Sequence, residues 1–385
     1  MTEALEFDDI QHILLTRTPA ITGRYEFLTF DTPASGRAWL TELLDRVQSA
    51  SDATSTMDES DRWVTLAFTW TGLRALGVSE ESLATFPGEF REGMAARASI
   101  LGDTGTCAPE HWVGGLAGDD VHAIAILFSR TEEQCARSIA EHDKLLARTD
   151  GVRSLSYLDL NASPPFNYAH DHFGFRDRLS QPVMKGSGEE PTPGSGEALE
   201  PGEFILGYPD ENGPVANLPQ PEVLSRNGSF MAYRRLQEHV GTFREYLSDH
   251  AETPEEQELL AAKFMGRWRS GAPLVLAPEH DDPELGADPM RNNDFNYKEM
   301  DPHGYACPLG SHARRLNPRD TAHYMNRRRM IRRGATYTLD FTVPKRPIRK
   351  VHKGLPAFTT LTGGAYFFLP GMSAMRYLAA LDTGG

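Results

Sequence analysis

Three short stretches hold side chains whose types and spacing could do chemistry. In HFGFRDRLSQP, His172 to Pro182, Asp177 stands between Arg176 and Arg178, behind an aromatic-glycine-aromatic run and ahead of a Ser-Gln-Pro turn. A carboxylate flanked by two guanidinium groups is held ionised, and within reach of a reacting group it can take up a proton and return it. In CPLGSHARRLNPRD, Cys307 to Asp320, a lone His312 follows a turn and precedes a basic run. In RRRMIRRGATY, Arg327 to Tyr337, five arginines crowd into seven residues. From His312 to Arg333 there are eight arginines and one acid, Asp320, in a chain of formal net charge −15. Such a run seeks an anion: a phosphate, a carboxylate, or the protein's own acidic surface.

His312 has no second histidine at ligand spacing, as a zinc site would require. One axial histidine in basic surroundings suits a haem better, since haem takes a protein ligand and offers two carboxylates to arginines. A competing metal reading falls on His170 and His172 in YAHDHFGF. At i and i+2 on a strand they would face one side, with Asp171 facing the other, and a third ligand would still be needed.

These residues need elements to carry them. YEFLTF (Tyr25–Phe30), WVTLAFTW (Trp63–Trp70), VHAIAILFS (Val121–Ser129) and VRSLSYLDL read as strands. GRAWLTELLDRVQ places Trp39, Leu40, Leu43, Leu44 and Val47 at helical spacing, and a second helix opens at the Thr131 cap. The order β-α-β, β-α-β predicts an α+β fold of ferredoxin-like type, an antiparallel sheet with helices on one face. Met184–Glu203 is Gly, Pro, Ser and Glu, and reads as a loop; its glycines follow no strand and open no helix, so it is no phosphate cradle. GSFMAYRRL then restarts the pattern as a strand, and EHVGTFREYLSDH follows as a helix. TPEEQELLAAKFMGRW follows as a further helix, with Thr253 as N-cap and Glu256 completing a capping box. Ser270–Pro308 reads as irregular; TYTLDFTV begins a set of strand-like segments, and Met372–Leu381 reads as a last helix. The second half is one strand-helix pair short of the first.

Composition narrows the function classes. A 39% hydrophobic, 9% aromatic chain of 385 residues can bury a large core. The acidic balance argues against nucleic acid as a partner. No apolar run reaches the ~20 residues that span a bilayer, and MTEALEFDDI has no secretory pattern, so no membrane and a cytoplasmic location are expected. Cys107, Cys135 and Cys307 lie far apart and predict free thiols. Trp268 reads as a packing residue.

The three stretches together resemble the dye-decolorising peroxidases, a haem peroxidase family. HFGFRDRLSQPVMKGSG resembles the distal motif with its Gly-x-x-Asp-Gly core, CPLGSHARRLNPRD the proximal motif, and RRMIRRGATY the Arg-x-Gly-x-Pro-Tyr segment. FTWTGLRALG, GEFILGYPDENG, GRWRSGAPLVLAP and FTTLTGGAYFFLPGMSAMRYLA extend the likeness over nearly the whole chain. The resemblance implies two ferredoxin-like domains, 1–183 and a haem-binding 204–385, joined by the loop 184–203, the second incomplete. It implies haem b (iron protoporphyrin IX), His312 as axial ligand, Asp177 as distal acid, Arg332 as distal arginine and Arg319 as a propionate contact. It further implies hydrogen peroxide and an organic reductant, phenolic or dye-like, as partners, and leaves a homo-oligomer open. Arg178 stands where the family has glycine and Thr336 where it has proline. Several dozen residues of the family pattern are absent before the final block, including a strand that lines the distal pocket. The alternative is a haem-free homologue that binds or scaffolds.

Overall fold

Among the described residues, alternating apolar residues build six strands: β1 (Thr22–Phe30), β2 (Arg62–Phe68), β3 (Ala123–Ser129), β4 (Val152–Asn161), β5 (Ser229–Glu238) and β6 (Thr359–Leu369). This computed structural model describes residues 4–15, 22–52, 62–161, 170–176, 179, 182–214, 218–317, 319–321 and 358–381. β2 ends two residues earlier than its sequence suggests. Thr69 turns its hydroxyl to accept the Gly72 N–H at 2.9 Å and caps the short helix Trp70–Ala75. The main helices are α1 (Pro33–Leu43), α2 (Glu132–Arg148), α3 (Val240–His250), α4 (Pro254–Met265), α5 (His312–Leu316) and α6 (Met372–Ala379). Thr131 with Gln134 and Thr253 with Glu256 form the capping boxes that open α2 and α4. The irregular stretch after Ser270 contains two short helices, Pro283–Ala287 and Tyr297–Met300. TYTLDFTV and the place of the missing strand-helix pair lie outside the described residues.

All six strands join one antiparallel sheet in the order β4-β1-β3-β2-β6-β5. The first four, with α1 and α2, have the ferredoxin-like βαββαβ arrangement. β6 meets β2 only at Phe68 and Phe368. Beside that pair, the buried side chain of Gln11 stands in for a strand. Its Nε2 donates to the Leu66 and Pro370 carbonyls at 2.9 and 2.8 Å, and its Oε1 accepts the Leu66 N–H at 3.1 Å.

The sheet is rolled. In a flat sheet β1 and β5, four strands apart, would lie about 19 Å from each other at ~4.8 Å per strand. Instead the Tyr233 ring of β5 lies 5.2 Å from Phe27 and 5.8 Å from Tyr25 of β1. Inside the roll pack Phe27, Ala67, Ile124, Ile126, Phe367 and Leu369. The alternate residues of the same strands, Leu28, Phe30, Leu66, Ala125, Leu127 and Phe368, point outward beneath α1 and α6 with Trp39, Leu40 and Met375. The period of two thus explains why β3 is apolar from Ala123 to Phe128.

One polar group penetrates the outer layer. Glu26 of β1 is 2% exposed and accepts from His142 Nδ1 of α2 at 2.8 Å. The indole of Trp39, which can only donate, reaches His142 Nε2 at 3.2 Å, which assigns the proton to Nδ1. Burial pushes the Glu26 carboxyl up, but the His142 hydrogen bond, the Ser154 hydroxyl and the Arg24 guanidinium outweigh it and hold it below its ordinary 4.5. A lowered folded value means stability that is present above pH 4.5 and lost as pH falls through the folded value. Glu26→Gln is therefore expected to flatten the acid limb of a melting-temperature profile below pH 4.5 while costing about 1–3 kcal/mol at neutral pH. Thermal melts from pH 3 to 7 check both signs.

Candidate functional site

The site is built around the turn that follows α4. Gly266 ends that helix at φ +91°, and a Cβ there would sit 2.9 Å from Ser311 Oγ and 3.1 Å from Ala313 Cβ. Glycine therefore serves twice, for the left-handed cap and for the close approach of the segment carrying His312. The GRWRSGAP run after it sends Arg267 toward one candidate stretch and Arg269 toward the other.

On the Arg269 side lies the loop before Asp177. Phe173 and Phe175 are buried against Phe243, Leu247, Ala261 and Phe358, so the aromatic residues of the motif are anchors between α3 and α4. Asp171 closes the turn, its Oδ1 accepting the Phe175 N–H at 2.8 Å. Arg269 donates to the Phe173 carbonyl and lies 5.0 Å over the Phe175 ring. The Arg176 guanidinium is directed to the Gly286 carbonyl at 2.7 Å. His172 Nδ1 lies 3.2 Å from Glu238. Among the described residues no three His, Cys, Asp or Glu side chains gather as a metal set, and neither His170 nor His172 has such company. Asp177 and Arg332 lie outside the described residues, as does Arg178.

On the Arg267 side lies His312, the first residue of α5 and half buried. Its helix is pinned by a buried ion pair. Arg314 and Asp301 are 3% and 4% exposed and meet at 2.9 Å. Asp301 accepts the N–H groups of Tyr305, Ala306 and Cys307 at 2.8, 3.2 and 2.8 Å, while Arg314 also donates to the carbonyls of Cys307 and Asp301 at 2.8 Å each. The guanidinium lies 4.2 Å over the Tyr297 ring. This clamp fixes the turn that presents His312.

Arg319 holds φ +50°, a conformation costly for a side-chain-bearing residue and found where surroundings enforce it. Its Nη1 donates to the carbonyls of Gly194, Asn293 and Phe295 at 2.8, 3.0 and 3.0 Å, and its Cζ lies 3.7 Å over the Phe295 ring. Arg267 donates to Gly271 and Asn292 carbonyls at 2.9 and 2.7 Å, and both arginines reach Asn293 Oδ1, at 2.6 and 3.2 Å. Burial, and then the neighbouring Arg319 charge, push the Arg267 guanidinium down to about 10. Burial also pushes the Cys307 thiol and the Tyr297 hydroxyl up. The three cysteines are free thiols, as expected, and Trp268 is buried with its indole N–H on the Ala277 carbonyl at 2.6 Å.

Sequence reasoning gave no role to Arg267, Asn293 or Asp301. Arg267 closes a run that reads as helix, while Asn293 and Asp301 sit in a stretch without periodicity, where only the density of polar residues in RNNDFNY hints at buried backbone to be satisfied.

A rolled antiparallel sheet with helices packed outside it defines an α+β barrel protein. The family model described as the DyP dimeric alpha+beta barrel domain matches residues 9–155. A dye-decolorizing peroxidase solved in complex with 2,6-dimethoxyphenol is 26% identical and superposes on 98% of this chain and 100% of its own, at a TM-score of 0.80. The dye-decolorizing peroxidase of Mycena epipterygia is 34% identical over 335 residues, 83% of this chain and 61% of that protein. Peroxidase 2 of Mycetinis scorodonius is 33% identical over 306 residues, 78% of this chain and 58% of its own. Residues 9–155 thus carry the DyP barrel domain, and over most of its length the chain is similar to dye-decolorizing peroxidases. It spans less than two thirds of the length of these two curated relatives. Among the described residues no helix is long and apolar enough to cross a membrane.

Replacing Arg314 by Met would leave the Asp301 carboxylate buried on backbone N–H groups alone. The variant is expected to lose about 3 kcal/mol by urea denaturation, the scale of one partner removed from a buried pair.

Proposed function

We propose that the protein is a haem-dependent peroxidase that uses hydrogen peroxide to oxidise bulky phenolic or dye-like reductants. The observation that carries this reading is the Asp301–Arg314 clamp, which presents a half-buried His312 at the head of a short helix, in a region where the guanidinium groups of Arg267 and Arg319 meet at Asn293. That donor set fits haem b: one imidazole for iron, and cations at hand for propionates. His312 would hold the iron, and Arg319 would answer a propionate with the N–H groups it does not spend on carbonyls. When bound, haem supplies a redox-active iron that receives the oxidising equivalents of peroxide.

The chain's own residues do the rest. Asp177 accepts the proton leaving the inner peroxide oxygen and returns it to the outer oxygen, which departs as water. Arg332, which stays charged at any working pH, stabilises the negative charge that builds as the oxygen–oxygen bond breaks. Phe173 and Phe175, locked between α3 and α4, support the segment leading to Asp177. The flanking guanidinium groups favour an ionised Asp177 and so a peroxidase most active in acid.

Full-length protein supplied with haem is expected to show a Soret band near ~400 nm that His312→Ala removes. Asp177→Asn should keep the band and slow the reaction with peroxide by about a hundredfold. A folded protein that takes up no haem would instead favour the haem-free homologue, a binding or scaffold protein.

A further inference from the structure

Asn293 belongs to none of the recognised motifs, yet it touches both halves of the site. It is 1% exposed. Its Nδ2 donates to the Leu179 carbonyl at 2.6 Å, two residues after Asp177 in the chain. Its Oδ1 accepts from Arg267 Nη2 and Arg319 Nη2 at 2.6 and 3.2 Å, and its own carbonyl accepts from Arg319 Nη1 at 3.0 Å. The amide orientation is set by its partners. Guanidinium groups only donate and a carbonyl only accepts, so oxygen must face the arginines and nitrogen must face Leu179.

We infer that Asn293 is the positioning residue that couples the loop of Asp177 to the guanidinium pair beside the His312 segment. The inference rests on the reading of Asp177 and His312 as members of one reacting site. Few side chains can do this. Aspartate would satisfy both cations but turn an oxygen on the Leu179 carbonyl. Leucine satisfies neither end, and glutamine is one methylene too long for a fully packed position. Gly194 closes the space from another side: a Cβ there, at φ +72°, would lie 1.6 Å from the Asn293 carbonyl oxygen. The Gly/Pro/Glu-rich loop is thereby seated on Asn293, and the residue has no room to shift away when either partner pulls. Displacement at Leu179 must be carried to Arg267 and Arg319, and the reverse.

Two variants separate the two ends. Asn293→Asp keeps a now charged acceptor for both arginines and replaces the donor to Leu179 by an oxygen; Asn293→Ala removes both contacts. Hydrogen–deuterium exchange on the full-length chain without haem reads the coupling directly. Asn293→Asp is expected to speed exchange over residues 170–182 about fivefold, the worth of one hydrogen bond, and to leave residues 312–321 unchanged. Asn293→Ala is expected to speed both. With haem added, Asn293→Asp should keep its haem affinity within about threefold of wild type while its second-order rate with peroxide falls about tenfold, since misplacement of an acid penalises the step it serves. Unchanged exchange over 170–182 in Asn293→Asp, or equal acceleration of every segment, overturns the coupling. Shifted exchange with an unchanged peroxide rate overturns its part in the reaction. A wild type that binds no haem would sink the peroxidase reading, while the exchange data would still decide whether Asn293 joins the two loops.

Discussion

Most of the candidate site is built from polypeptide that is neither helix nor strand, so its buried carbonyls have no ladder to join. That constraint governs the region from Gly266 to Thr321. Peptide oxygens buried without a donor cost about as much as a lost hydrogen bond each, and arginine, with five N–H groups in a fixed fork, satisfies several at once. Arg267, Arg269, Arg314, Arg319 and, from the other loop, Arg176 each donate to at least one main-chain carbonyl here. Local shape is therefore written in guanidinium groups, whose charges sit among the acids of the same region.

The two roles compete for the same N–H groups. Arg319 spends one nitrogen on three carbonyls and part of another on Asn293. Arg314 is committed to Asp301 and two carbonyls, and is too deeply held to meet anything else. The expectation that the arginine run seeks an anion thus needs division: Arg314 finds its carboxylate inside the fold, Arg319 chiefly finds carbonyls, and the arginines from Arg327 onward lie outside the described residues.

What the sequence made legible was local. Strands appeared because apolar alternation is a property of a few consecutive residues, and α2 and α4 began where Thr131 and Thr253 could bond an amide three residues on. The ferredoxin-like order followed from those elements. The roll did not, because the contact between Tyr25 and Tyr233 joins residues remote in the chain and each reads as an ordinary strand aromatic. In the site, His312 was visible as a type of residue, but what aims it was not. Asp301 and Asn293 act by satisfying backbone groups, and no spacing rule marks where an irregular chain will bury its peptide bonds.

The sheet has a bearing on how this chain reaches its folded state. β2, made early in synthesis, acquires its β6 neighbour only after residue 359 has been made. Until then its outer edge is served by side chains such as Gln11, whose own second partner, the Pro370 carbonyl, arrives later still. A nascent chain paused within the central region holds a four-stranded unit whose β2 edge is still open, a shape prone to pairing with other chains. Contacts of such long sequence separation also slow folding, because loop closure must precede their reward. The order of synthesis and the order of assembly are therefore out of step, and the final strand serves as the fastener that makes the early ones safe.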